Sequence, residues 1–123
     1  MSHMIEVKTA ELIGPALDWA VAKAECAPVQ LPASDVVWHK YSGAYSPSTD
    51  WAQGGSLADK YKPDLQTTAK GEFSAYLNND TACPDPLIFE NGPTYLVALC
   101  RTIVAAKLGD VVGVPAELVG GGA

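Results

Sequence analysis

The sequence predicts an α+β domain, and three observations carry that prediction. Two segments, 15–24 and 93–108, place apolar residues at helical spacing. Short alternating or β-branched runs lie between and after them. Helices and strands do not follow one another in the regular order that a doubly wound parallel sheet requires. The expected architecture is a single small domain with two main helices, a few short strands and long ordered loops. A chain of 123 residues with 48% hydrophobic content has the size and apolar content for one core.

Residues 1–4, Met1-Ser2-His3-Met4, read as an expression-vector scar, with the domain proper over 5–119 and a mobile glycine-rich tail over 120–123. Residues 5–27 read as an extended lead, a turn and a helix. Thr9 is placed to cap the turn through Leu12, and Pro15 to start the helix. Ala16, Leu17, Ala20, Val21 and Ala24 fall on one helix face, with Asp18, Ala22 and Glu25 opposite. Pro28 closes the helix, because the residue before a proline is pushed out of the α region. Residues 28–34 read as a linker, 35–41 as a strand, and 42–56 as an ordered loop rich in Ser, Gly and Pro. Within 57–86 only a short element near Phe73–Leu77 stands out, and Leu87-Ile88-Phe89 reads as a brief buried strand. The strongest helical signal is 93–108, with Pro93 at its first position and Gly109 in the left-handed position after its end. Leu96, Leu99, Cys100, Ile103 and Val104 form its broad apolar face, and the opposite side is also small or weakly polar, as expected of a central helix. Val111–Val114 reads as an edge strand and Pro115–Leu118 as a terminal turn.

Composition removes several function classes. The net charge is −6, with eight acids against four bases in residues 28–91. The Lys/Arg footprint for a phosphate backbone is missing, which argues against direct nucleic-acid binding. No uncharged apolar run reaches the roughly 18 residues of a membrane span, and no secretory leader precedes the domain, so a cytoplasmic location is expected. The three cysteines, Cys26, Cys83 and Cys100, form no C-x-x-C unit and read as packing or inert thiols. Scattered aspartates match no calcium loop, Gly54-Gly55 lacks the rest of a phosphate loop, and His39 has no nucleophile elbow beside it. No catalytic residue, metal ligand or cofactor is therefore assigned.

One constellation stands above this background. Four of the ten aromatic residues lie between Trp38 and Trp51, interleaved with hydroxyls, an amide, a carboxylate and glycines. The candidate binding residues are Tyr41, Tyr45, Ser46, Ser48, Asp50, Trp51, Gln53, Gly54 and Gly55, joined by Arg101 from the long helix. Aromatic faces with a few convergent polar groups suit a protein contact or a small-ligand pocket. The structural alternative has Ser48 or Thr49 capping a short turn at Asp50-Trp51, Trp51 plugging the core, and Gly54-Gly55 ending the turn. Arg101, within a mostly apolar helix, requires an acidic or carbonyl partner. Asp18 or Asp50 would serve, and an arginine left partly open would recognise an anion. Asp18-Trp19-Ala20 echoes Asp50-Trp51-Ala52, too short a match to count as a repeat.

The stretches Val7–Leu12, Gly14–Lys23, Tyr45–Gly55, Gly92-Pro93-Thr94, and Val104–Asp110 with Val114-Pro115 resemble the phage NinX-like family, in the family's order. Residues 56–91 depart from that pattern. The resemblance implies an accessory protein of a phage or prophage, of unknown biochemical function, made in the bacterial cytoplasm; it supplies no catalytic residue. Two readings follow. The first is a non-enzymatic module that binds a host or phage protein through Tyr41–Gly55 and neighbouring helix surface, self-association alone being a separate, blander possibility. It expects Tyr45 or Trp51 to be exposed. The second is a small-molecule pocket or minor enzyme built from Asp50, Trp51, Gln53 and Arg101, and it expects those side chains to meet in one cleft.

Overall fold

The computed structural model describes residues 4–33, 36–39, 43–68, 70–78 and 87–119. Along the chain run β1 (Met4–Lys8), a 3-10 turn (Thr9–Glu11), α1 (Gly14–Ala24), β2 (Val29–Ala33), β3 (Val36–His39), β4 (Gly43–Ala44) and α2 (Trp51–Tyr61). These are followed by β5 (Asp64–Thr67), β6 (Phe73–Asn78), β7 (Leu87–Gly92), α3 (Tyr95–Leu108), β8 (Val111–Pro115) and the single turn α4 (Ala116–Val119). The α+β class is as predicted. Among the described residues every strand pairing is antiparallel, in three small sheets ordered β1-β8, β2-β3-β4 and β5-β6-β7.

Helix α3 is the centre of the molecule, packed on β6 and β7 and on α1. Its predicted face, Leu96, Leu99, Cys100, Ile103 and Val104, is buried, and so are Val97, Ala98 and Thr102. Each large aliphatic side chain so buried contributes roughly 1.5–3 kcal/mol through the hydrophobic effect. Thr94, not Pro93, is the N-cap, and its hydroxyl accepts from the Val97 N–H at 3.1 Å. Pro93 precedes the cap, where the missing N–H costs nothing. At the other end Gly109 has φ +98° and ψ −168°, a positive-φ extended geometry rather than the left-handed helical one expected. A side chain would be strained there, which is why the helix stops on glycine.

The two ends of the chain meet in the β1-β8 ribbon, registered from Met4↔Pro115 to Lys8↔Val111. Thr9 reinforces this closure instead of capping its own turn. Its fully buried hydroxyl donates to the Gly109 carbonyl at 2.6 Å, and its N–H donates to the Asp110 carbonyl at 2.7 Å.

Four expectations about elements are corrected. Residues 28–34 contain a strand, β2, paired to β3 as Val29↔His39 and Gln30↔Trp38, with a register shift before Ala33↔Val36. Pro32 sits inside that irregularity on an edge strand, the setting in which a sheet tolerates proline. Residues 51–56 are not loop but the first half of α2. Phe89 is 49% exposed, and its strand β7 is longer than the brief buried segment expected. Asp18 and Ala22, placed on the outer face of α1, are buried, because α1 packs on α3 and also on β3 and β8.

Candidate functional site

The segment from β4 to α2 is built by its own polar groups. Asp50 is the N-cap of α2: one carboxylate oxygen accepts from the Ala52 N–H at 3.0 Å, and the other accepts from Gln53 Nε2 at 3.1 Å. Gln53 faces back across the loop, its Oε1 accepting from the Ser46 N–H at 2.9 Å and its Nε2 donating to the Ala44 carbonyl at 2.9 Å. The Ser46 carbonyl in turn accepts from the N–H groups of Thr49 (3.1 Å) and Asp50 (2.8 Å). The amide of Gln53 thus staples β4, the Ser46 turn and the start of α2 into one unit. Asp50, rather than Ser48 or Thr49, performs the capping.

Ser48 anchors this unit to the core. It is buried, and its N–H donates to Asp18 Oδ1 at 2.9 Å. Burial drives the Asp18 carboxyl from 3.8 up to about 6, outweighing the opposing pull of Ser48. Tyr45 packs against the core half-buried, its N–H donating to the Val37 carbonyl at 2.7 Å. Its phenol is pushed up to about 12, first by burial and then by the nearby Glu25, Cys100 and Asp18.

Gly54 explains why helix α2 can lie where it does. A Cβ on this buried glycine would stand 2.4 Å from Leu96 Cδ2 and 2.6 Å from the Pro47 carbonyl oxygen. Gly55 faces open space. Neither ends the helix, which continues to Tyr61 and closes at Lys62 in the left-handed conformation. There Glu25 accepts from Lys60 Nζ at 2.6 Å and from the Tyr61 hydroxyl, joining the ends of α1 and α2.

Within this fixed frame Trp51 is 59% exposed and does not plug the core. It lines a concavity of about 370 Å³ with Ile13, Ser48, Pro93, Leu96 and Val97. Ile13 is itself 54% exposed. Sequence reasoning missed Ile13, a lone apolar residue ahead of a helix, and offered Asp18 only as a partner for Arg101. Ser48 also lines this concavity. Tyr41 lies outside the described residues.

Arg101 does not join this group. Its Nε donates to the Leu12 carbonyl at 2.7 Å and its Nη1 to the Asn91 carbonyl at 2.8 Å. The expected ion pair with Asp18 or Asp50 is absent among the described residues, where Lys60–Glu25 is the salt bridge found. Arg101 lines a second concavity, while Asp50 and Gln53 turn their polar atoms to their own loop. Cys100 is buried in α3 and its thiol is pushed up by that burial, so it stays protonated and inert. Cys26 is exposed at the end of α1, and Cys83 lies outside the described residues. No helix among the described residues is long and apolar enough to cross a membrane.

A protein-family model described as bacteriophage P22 NinX matches residues 8–107. The chain belongs to the NinX family. The matched range contains α1, the stapled segment, Trp51 and nearly all of α3, and it runs through residues 56–91, where the sequence resemblance lapses. No curated protein matches the chain. NinX membership supports a phage accessory protein, and the finer functional reading rests on the geometry.

Proposed function

We propose that this NinX-family chain is a non-enzymatic accessory protein that docks a host or phage protein in the bacterial cytoplasm, through the apolar concavity at the start of α2. One observation carries the reading: Trp51 is held 59% exposed by a cap, an amide staple and a glycine contact that fix its helix. Leaving a tryptophan in water costs hydrophobic stabilisation, and rigid exposed aromatics beside a pocket are the usual anchors of protein contacts. Ile13 and Pro93 extend the apolar rim, and Leu96 and Val97 form its floor. The small-molecule reading loses its strongest form, because Asp50 and Gln53 are engaged within the loop and Arg101 lines another concavity.

The test is affinity capture from phage-infected host lysate with wild type and Trp51→Ala, read by quantitative mass spectrometry. Wild type is expected to retain one protein in near-stoichiometric amount, and Trp51→Ala to lose it while melting at the wild-type temperature. Equal retention by both proteins, or none by either, refutes docking through Trp51. Sedimentation of the purified chain across concentration separates self-association from capture of a different protein.

A further inference from the structure

A second concavity, of about 640 Å³, shares Pro93 with the first and is lined by Glu72, Phe89, Glu90 and Arg101 together with Gly71 and Asn91. Its guanidinium is held in place by the Leu12 and Asn91 carbonyls, through Nε and Nη1. Of the five N–H groups an arginine carries, the three others have no partner among the described residues. Glu72 and Glu90 lie close enough to act on Arg101 electrostatically, yet neither forms an ion pair with it. Phe89 is stacked on Tyr76, ring centroids 4.9 Å apart, with about half its surface open. Among the described residues the cavity therefore holds a pre-positioned cation with unused donors, two carboxylates in no ion pair and an aromatic wall.

We propose that this cavity binds a zwitterionic α-amino acid with an apolar or aromatic side chain. Arg101 receives the ligand carboxylate in charge-assisted hydrogen bonds, Glu90 and Glu72 receive its ammonium group, and Phe89 meets its side chain. A simple anion would be attracted by Arg101 and repelled by both glutamates; a simple cation would face the reverse. Only a ligand bearing both charges relieves both. Burial, then Asp110, raises the Glu90 carboxyl against the opposing pull of Arg101, and burial lowers Arg101 against the pull of Glu90 and Glu72. The inference is independent of the docking surface, since Trp51 does not line this cavity.

The test is a titration of the ¹⁵N-labelled chain with L-phenylalanine, N-acetyl-L-phenylalanine and L-phenylalaninamide, followed by amide shifts. L-Phenylalanine is expected to move Gly71, Glu72, Glu90, Asn91 and Gly92 saturably. Removing either ligand charge is expected to weaken binding about tenfold or more, the scale of one charge-assisted hydrogen bond. Glu90→Gln should weaken L-phenylalanine similarly without moving the melting temperature, Glu72→Gln serving if the first variant is unstable, and Trp51→Ala should bind as wild type. No saturable shift at millimolar ligand overturns the proposal. So does equal binding of the amide, which would mark a plain cation site, or of the N-acetyl compound, a plain anion site.

Discussion

Asp18 and Asp50 each open an Asp-Trp-Ala triplet, and their surroundings give them opposite tasks. Asp50 stands at a helix start, where its carboxylate caps the Ala52 N–H. Asp18 lies inside α1, buried, receiving the Ser48 N–H from 30 residues away. The triplets' tryptophans differ as well: Trp19 is half-buried with Lys23 over its ring, and Trp51 is exposed. For Asp18 the sign of the pH dependence follows from its raised value. The fold favours the protonated carboxyl, so its stabilisation is complete below about 3.8 and is lost as pH rises through about 6. Asp18→Asn keeps the acceptor oxygen and removes the titration. Denaturant unfolding from pH 4 to 8 should show wild type gaining stability relative to Asp18→Asn as pH falls, by up to about 3 kcal/mol across the window. A flat difference would mean the carboxyl is solvated, and the opposite slope that the fold favours the carboxylate.

Legibility varied more among elements than among residues. Helix α3 was readable because its apolar residues recur at 3.6-residue spacing and proline and glycine bracket it. Helix α2 was not, because Leu57 is its one buried large aliphatic residue and paired glycines sit near its middle. Its helix start is set by the local Asp50 cap, while its seat depends on Gly54 leaving room beside Leu96 and the Pro47 carbonyl, which no local pattern reveals. The two glycines should therefore respond oppositely to alanine. Gly55→Ala meets nothing within 4 Å and should gain up to about 1 kcal/mol of helix stability. Gly54→Ala forces the Pro47 backbone aside and should cost about 1–3 kcal/mol despite the same propensity gain. Urea midpoints of the two variants decide it; two stabilised proteins would show that α2 does not seat on Leu96.

At the scale of the molecule, one buried hydroxyl holds the central helix to its sheet. Thr102 Oγ1 lies 2.8 Å from the Ala98 carbonyl in its own helix and 2.8 Å from the Ala75 carbonyl of β6, and accepts from the Glu90 N–H of β7 at 2.9 Å. Its single hydrogen is shared between those two carbonyls, so it bonds α3 to β7 and sits within reach of β6, from a position that reads in sequence as one more small helix residue. Thr102→Val conserves shape and removes every one of these bonds, so a loss of about 1–3 kcal/mol is expected. A change below about 0.5 kcal/mol in chemical denaturation would show that packing alone seats α3 on the sheet. The same strand β7 carries Phe89, Glu90 and the Asn91 carbonyl that clamps Arg101, so this bond also supports the second concavity.

By itself the sequence determined the α+β class, the two strongest helices, the closing edge strand and the concentration of aromatic and polar residues before Gly55. These follow from periodicity, proline and glycine punctuation and composition, all of which act over a few residues. Tertiary structure alone decided that Gln53 and Asp50 are staples, that Trp51 faces out, that Ile13 joins it, and that Arg101 belongs to a different cavity with Glu72, Glu90 and Phe89. The physical reason is that a side chain's task depends on which hydrogen-bond partners and apolar neighbours the fold brings within contact. For Arg101 those are Leu12 and Asn91, 89 and 10 residues away along the chain.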